Sequence, residues 1–262
     1  MKLISTILAA SALLLGGNTM AAEKPEIVLV HGAFADASVW QGVTAKLKAD
    51  GYQVTTINMP GRPSAPQAPD QVSLDLYKTT VLKALEKSTK PVVLVGHSFA
   101  GITISAVAEA APEKVKTLVY VAAYLPRNGE SLLSLAQQDP DAKIGPHLQI
   151  NKEKGMAVVE YAARADLFAN DGPAQLRAVL PDLIVDEPLA PLATPVPLSA
   201  DRFGKVDKAY VHTTLDQVIS PALQTTMVTA TPVRFEATLK TGHLPFLINP
   251  NGLAEAIEQA SK

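Results

Sequence analysis

Cysteine is absent from all 262 residues, which removes disulfides, thiolate-bound metals, a thiol nucleophile and a lipid-modified cysteine anchor from the possible designs. Strong charge of either sign is absent as well. The net charge is -2 and the pI is near 6.2, so no basic surface is at hand to displace counterions, and no nucleic-acid partner is expected. There is no internal repeat. The apolar run at the N-terminus, Leu3 to Leu15, is about 13 residues long, short of the roughly 20 that a bilayer-spanning helix needs.

That run has another use. Lys2 supplies a positive start, the apolar stretch follows, and Thr19 and Ala21 are the small residues a signal peptidase pocket accepts, so cleavage is expected after Ala21. Residues 1–21 therefore read as a signal peptide, and the mature chain, 22–262, as an exported protein of the periplasm or the medium with no stable membrane anchor. The 47% hydrophobic content of the full sequence is enough for one large core and excludes intrinsic disorder.

Along the mature chain, strands alternate with helices. Ile27 to Val30 is a continuous aliphatic run, as in a strand buried on both faces, and Tyr52 to Asn58, Val92 to Val95, Val115 to Val121, Lys208 to Thr213 and Val233 to Thr238 follow as further strands. Helices are expected over Ser38 to Ala49, with Ser38 as the cap, over Ser73 to Lys87 and Ile102 to Ala111, and from about Pro221 and Asn251. This is the α/β class: a mostly parallel sheet of about six strands with helices on both faces. The rhythm fails between about Tyr124 and Arg202, which reads as a lid inserted into a single domain. Within it Leu132 to Gln138 and Glu153 to Phe168 are expected to be helical, and the four prolines of Pro188 to Pro197 are expected to forbid a helix.

The chemistry gathers at the ends of these strands. Gly96-His97-Ser98-Phe99-Ala100-Gly101 joins a strand to a helix, and small residues two before and two after the serine allow the sharp turn that lifts a nucleophilic oxygen above the sheet. A plain helix cap would explain a serine in this turn, but not the matches that accompany it. His31-Gly32-Ala33-Phe34 follows the first strand, where the Ala33 amide, or failing it the Phe34 amide, would join that of Phe99 in an oxyanion hole. A serine hydroxyl needs a base and the base needs a carboxylate. Of five histidines, His243 alone lies in a loop after the last strand and before the last helix. His31 and His97 are expected to shape turns, His147 falls in the insertion and His212 in a strand. Asp216 follows the strand ending at Thr213 and is the expected acid; Asp207, the runner-up, starts that strand, at the wrong edge of the sheet. The order Ser98, Asp216, His243 is the one a strand-turn-helix serine elbow uses.

Together, Val28 to Phe34, Trp40, Asn58-Met59-Pro60-Gly61 and the Ser98 turn resemble the α/β-hydrolase superfamily, in the branch of plant methyl-ester esterases, hydroxynitrile lyases and bacterial esterases. The resemblance covers essentially the whole mature chain, in a compact version lacking two strands that precede the first His-Gly motif in larger relatives. It implies an enzyme without metal or organic cofactor, a carboxylesterase acting on a small-molecule ester through an acyl-serine. The alternatives it leaves are carbon-carbon cleavage of the hydroxynitrile-lyase type and a ligand-binding protein that keeps the triad. The lyase branch carries threonine and lysine where this chain has Gly32 and Leu244, which favours the esterase. Leu125, Leu132, Phe168 and Leu198 are candidates for the apolar pocket.

Overall fold

A computed structural model describes residues 24–262, so the expected signal peptide, residues 1–21, lies outside the described residues. The first strand is β1 (Ile27–Val30), followed by α1 (Gln41–Ala49) and β2 (Val54–Ile57). Next come α2 (Leu74–Leu85), β3 (Val92–His97), α3 (Ala100–Ala110) and β4 (Val115–Val121). Each element has a local cause. Asp36 rather than Ser38 caps the entry to α1, accepting the Ser38 amide at 2.8 Å, because a single 3-10 turn precedes the helix. In α2, capped by Ser73, the buried residues Leu74, Tyr77, Val81 and Leu85 recur at helical spacing and form its inward face, the helix packing beside α3.

After β4 the chain leaves the sheet. It forms α4 (Leu132–Ala136), a hairpin of β5 (Leu148–Asn151) and β6 (Met156–Val159), then α5 (Arg164–Phe168), α6 (Ala174–Leu183), the two-residue β7 (Glu187–Pro188) and α7 (Leu189–Ala193). β5, β6 and β7 make a small antiparallel sheet. Two expectations fail here. Glu153 to Phe168 is not one helix: Gly155 turns the chain at φ +63°, and the buried Ala157 and Val159 alternate with period two, as a half-covered strand requires. Pro188 to Pro197 does contain a helix, because Pro188 precedes α7 and Pro191 lies in its first turn, where an amide hydrogen has no intrahelical acceptor to lose.

The sheet resumes with β8 (Asp207–Thr213), α8 (Pro221–Ala230) and β9 (Phe235–Leu239), and the chain ends in α9 (Pro245–Ile248) and α10 (Pro250–Ala260). The main sheet has six strands in the order β2-β1-β3-β4-β8-β9, and all of its pairings are parallel. Right-handed crossovers put the pair α1 and α10 on one face and the pair α2 and α3 on the other. Strand order reverses between β1 and β3, and such a switch point opens a crevice at the carboxyl ends of the two strands. Ala33 and Ser98 stand at those two ends.

One contact sets how close the layers come. Gly101 lies in the first turn of α3 against the chain leaving β4, and a Cβ on it would sit 2.0 Å from the Tyr124 carbonyl oxygen. Since that obstacle is backbone, the helix itself would have to move. Gly101→Ala is accordingly expected to lower unfolding stability by about 3 kcal/mol or more, at or beyond the upper end of ordinary overpacking. Urea denaturation should show this as a lower midpoint, and a midpoint equal to that of the parent would contradict the packing described.

Candidate active site

β3 delivers Ser98 to the carboxyl edge of the sheet in a left-handed backbone conformation, φ +54°, which a residue with a side chain adopts at a cost of about 1–3 kcal/mol. Three main-chain bonds hold it there: the Ser98 amide donates to the Val121 carbonyl at 3.2 Å, and the Ser98 carbonyl accepts from the amides of Gly101 and Tyr124, each at 3.1 Å. Gly96 is needed because a Cβ there would meet the Ala100 carbonyl oxygen at 2.9 Å, whereas the methyl of Ala100 is accommodated. Ser98 does not cap α3; Phe99 holds that position, without any side-chain cap bond.

Its hydroxyl is engaged elsewhere. His243 Nε2 lies 3.0 Å from Ser98 Oγ, and His243 Nδ1 lies 2.8 Å from Asp216 Oδ2. All three residues are buried. Asp216 Oδ1 accepts the amides of Val218 and Ile219 at 2.8 and 3.0 Å, and Oδ2 also accepts the Thr213 hydroxyl at 2.9 Å. With those oxygens occupied and an ionised carboxylate facing Nδ1, the imidazole carries its proton on Nδ1 and presents an Nε2 lone pair to the serine. Asp207 is elsewhere, at the opposite edge of the sheet, paired with Arg234 at 2.8 Å. His147 and His212 pair with the exposed carboxylates of Glu160 and Glu236.

The two remaining histidines brace backbone. His31 Nε2 accepts the Met59 amide at 3.0 Å, so its proton is on Nδ1, which donates to the Gly32 carbonyl at 2.8 Å. Burial first, and the nearby Arg62 second, lower its pKa to about 3. His97 Nε2 donates to the main-chain carbonyl of His243 at 2.8 Å, tying the loop of the base to the strand of the nucleophile. Burial, then the neighbouring His243, holds its pKa well below the usual histidine value. Trp40 packs against Phe246 with ring centres 5.1 Å apart, and presents its edge to His97.

Gly32 allows the oxyanion loop to press on the elbow: a Cβ there would lie 2.8 Å from that of Ser98. Among the described residues no acceptor takes the amides of Ala33 and Phe99, which leaves both free to face a developing negative charge. Phe34 is corrected on this point. Its amide donates to the buried Glu187 carboxylate at 3.0 Å and is unavailable as a donor to substrate.

A cavity of about 140 Å³ reaches Ser98, lined by Ala33, Phe34 and Tyr124 and walled mainly by apolar residues of the insertion. Leu132 and Phe168 line it as expected, together with Leu133, Ile144 and Leu192. Leu125 and Leu198 do not. Tyr124 faces the cavity, so the next residue points away, with the Leu125 amide against the Met227 sulfur at 3.3 Å; Leu198 is held at the far end of α3 by Asn128, next to the Ser199 bonds to Glu109. Among the described residues no group of three or more histidine, aspartate and glutamate side chains could hold a metal ion.

Several residues that hold the site went unread in the sequence. Gln224, fully buried in α8, donates to the Thr213 hydroxyl at 3.1 Å; Asp171 accepts the Gly242 amide at 2.9 Å; Asn170 donates to the Leu215 carbonyl at 2.9 Å. A buried glutamine inside an apolar helix is a weak signal, and the insertion residues carry none.

One family model matches nearly the whole of the described chain. The model described as the alpha/beta hydrolase family matches residues 27–256. Putative methylesterase 11, chloroplastic, of Arabidopsis thaliana is 29% identical over 252 residues, covering 92% of this chain, which spans only 65% of that relative's length. A pyrethroid hydrolase of Sphingobium wenxiniae is 26% identical over 241 residues, covering 88% of this chain and 86% of its own. The crystal structure of polyneuridine aldehyde esterase superimposes with a TM-score of 0.81 at 20% identity, over 91% of this chain and 100% of that one.

The two bracing histidines make stability depend on pH. Both are neutral in the fold but titrate near 6.5 when unfolded, so below that pH the unfolded chain binds protons that the native one refuses. Their contribution is whole above about pH 6.5 and falls away as pH drops below it, that of His31 continuing to be lost until about pH 3. The slope should approach about 1.4 kcal/mol per pH unit for each histidine. Urea midpoints should fall steadily between about pH 7 and pH 4.5, less steeply in His31→Asn; identical slopes would contradict the assignment.

Proposed function

This chain belongs to the alpha/beta hydrolase family, and from that premise we propose that it is a serine carboxylesterase, cleaving small-molecule esters through an acyl-serine intermediate. The observation that carries the reading is the unbroken hydrogen-bonded line from Asp216 through His243 to Ser98, ending at the wall of an apolar cavity. In this reading Ser98 Oγ attacks the ester carbonyl while His243 Nε2 takes its proton. Negative charge that develops on the carbonyl oxygen is received by the Ala33 and Phe99 amides, the latter at the positive end of α3. His243 then returns the proton to the leaving alcohol, and water repeats the sequence on the acyl-serine. Asp216 fixes the tautomer and offsets the charge of the imidazolium.

The size of the cavity points to a small substrate. A cavity of about 150 Å³ holds one benzene ring, so the enclosed space suits a group of that size. The chain's similarity to a methylesterase, a pyrethroid hydrolase and an esterase supports ester cleavage as the reaction class. The lyase alternative loses support at Gly32, where even a single Cβ would collide with Ser98. The insertion between β4 and β8 serves in this reading as the lid over the site.

Ser98→Ala is expected to lower turnover of a short p-nitrophenyl ester by roughly 10⁴-fold or more with circular dichroism unchanged, and Asp216→Asn by about 10⁴-fold. Asp207→Asn, at the other edge, should leave the rate as it is. An active Ser98→Ala variant sinks the reading, and equal effects of the two aspartate variants remove Asp216 from it. The pattern of Met1 to Ala21 supports export of the mature enzyme. Protein recovered from the periplasm or medium should then begin at Ala22, and retention of the full-length chain in the cytoplasm would refute this.

A further inference from the structure

One cluster of buried charge has no part in the chemistry just described, yet it touches the loop that chemistry needs. Glu187 comes from the insertion, where β7 pairs with β6, and its side chain is wholly shielded from solvent. Its carboxylate accepts from the Arg62 guanidinium and, at 3.0 Å each, from the Tyr77 hydroxyl and the Phe34 amide. Arg62 reaches onward to the Ala35 carbonyl at 2.8 Å through Nε. The Phe34 carbonyl accepts the Val185 amide at 3.0 Å, so insertion residues hold the backbone on both sides of the Phe34 Cα.

Phe34 itself has φ +61°, a conformation the surroundings must impose. The peptide plane that carries its amide shares the Ala33 Cα with the plane that carries the Ala33 amide. Fixing the first plane leaves the second only the torsions of Ala33 in which to turn. Stability alone is a poor explanation for the cluster, because apolar residues of similar volume commonly replace a buried ion pair without loss. Placement of this ion pair on the oxyanion loop explains it better.

We propose that Glu187 is a positioning residue for the reaction: held by Arg62 and Tyr77, its carboxylate anchors the Phe34 amide and thereby aims the Ala33 amide at the substrate oxyanion. This rests on the esterase reading above. Three variants of the full chain test it, Glu187→Gln, the double variant Arg62→Met with Glu187→Met, and Ser98→Ala. The double variant removes the anchor without leaving a buried charge unpaired, so it stays informative if the single change fails to fold.

Because deleting an oxyanion donor outright lowers kcat by about 10² to 10³-fold, a misaimed one should lower it by about 10 to 100-fold. KM for a short p-nitrophenyl ester should stay unchanged. Affinity for a trifluoromethyl ketone, whose adduct with serine carries the oxyanion, should fall by the same factor as kcat. A purely structural role would instead lower the amount of folded enzyme and leave kcat per titrated active site as in the parent. That result, or a rise in KM alone, overturns the inference while the esterase reading stands. Equal rates for the parent and Ser98→Ala overturn both.

Discussion

The site is built outward from one constrained residue. At Ser98 the chain must pass from a fully buried parallel strand into a helix buried from Ala100 to Ala108 within a single left-handed step, and three main-chain hydrogen bonds keep it there. Two of those bonds come from the chain around β4, which the helix approaches so closely that only glycine is possible at position 101. The strain at the serine is therefore sustained by the central sheet, whose strands β3 and β4 are almost wholly buried. Because the elbow does not yield, everything else can be referenced to it. The oxyanion loop presses on it through Gly32, and the base loop is tied to it through His97.

Five histidines divide into three kinds by environment, and burial does the sorting. His147 and His212 pair with exposed carboxylates. His31 and His97 are buried without a carboxylate partner, so each stays neutral and serves as a bracket on backbone, His31 through both ring nitrogens and His97 through one. His243 is buried as well, but one of its nitrogens faces Asp216 and the other a hydroxyl. Only that combination stabilises the imidazolium formed when a proton moves, which is what a base must do.

The insertion supplies more than a cover. Besides walls for the cavity, it contributes Asn170 beneath the strand end that leads to Asp216, Asp171 under the loop of His243, and Glu187 on the loop of Ala33. Each contact engages backbone next to a residue of the site. Such contacts act on geometry, and geometry is where oriented donors are sensitive to small displacements.

How much of this could be read along the chain depended on the range of the interaction. Aliphatic runs, helical spacing and the small residues around Ser98 are local, and they determined the parallel α/β sheet and the strand-end positions of Ser98, Ala33, Phe99, Asp216 and His243. In the insertion local signals misled: Glu153 to Phe168 has helical composition but folds partly as a strand, because Val159 and Ala157 pair with Leu148 and Ile150 across a hairpin and Ala157 also with Glu187 of β7. The same limit applied to the loop of Ala33. That one of its amides is left free while the next is consumed was decided by Glu187, a partner 153 residues away, and contacts across such a distance exist only once the chain has closed on itself.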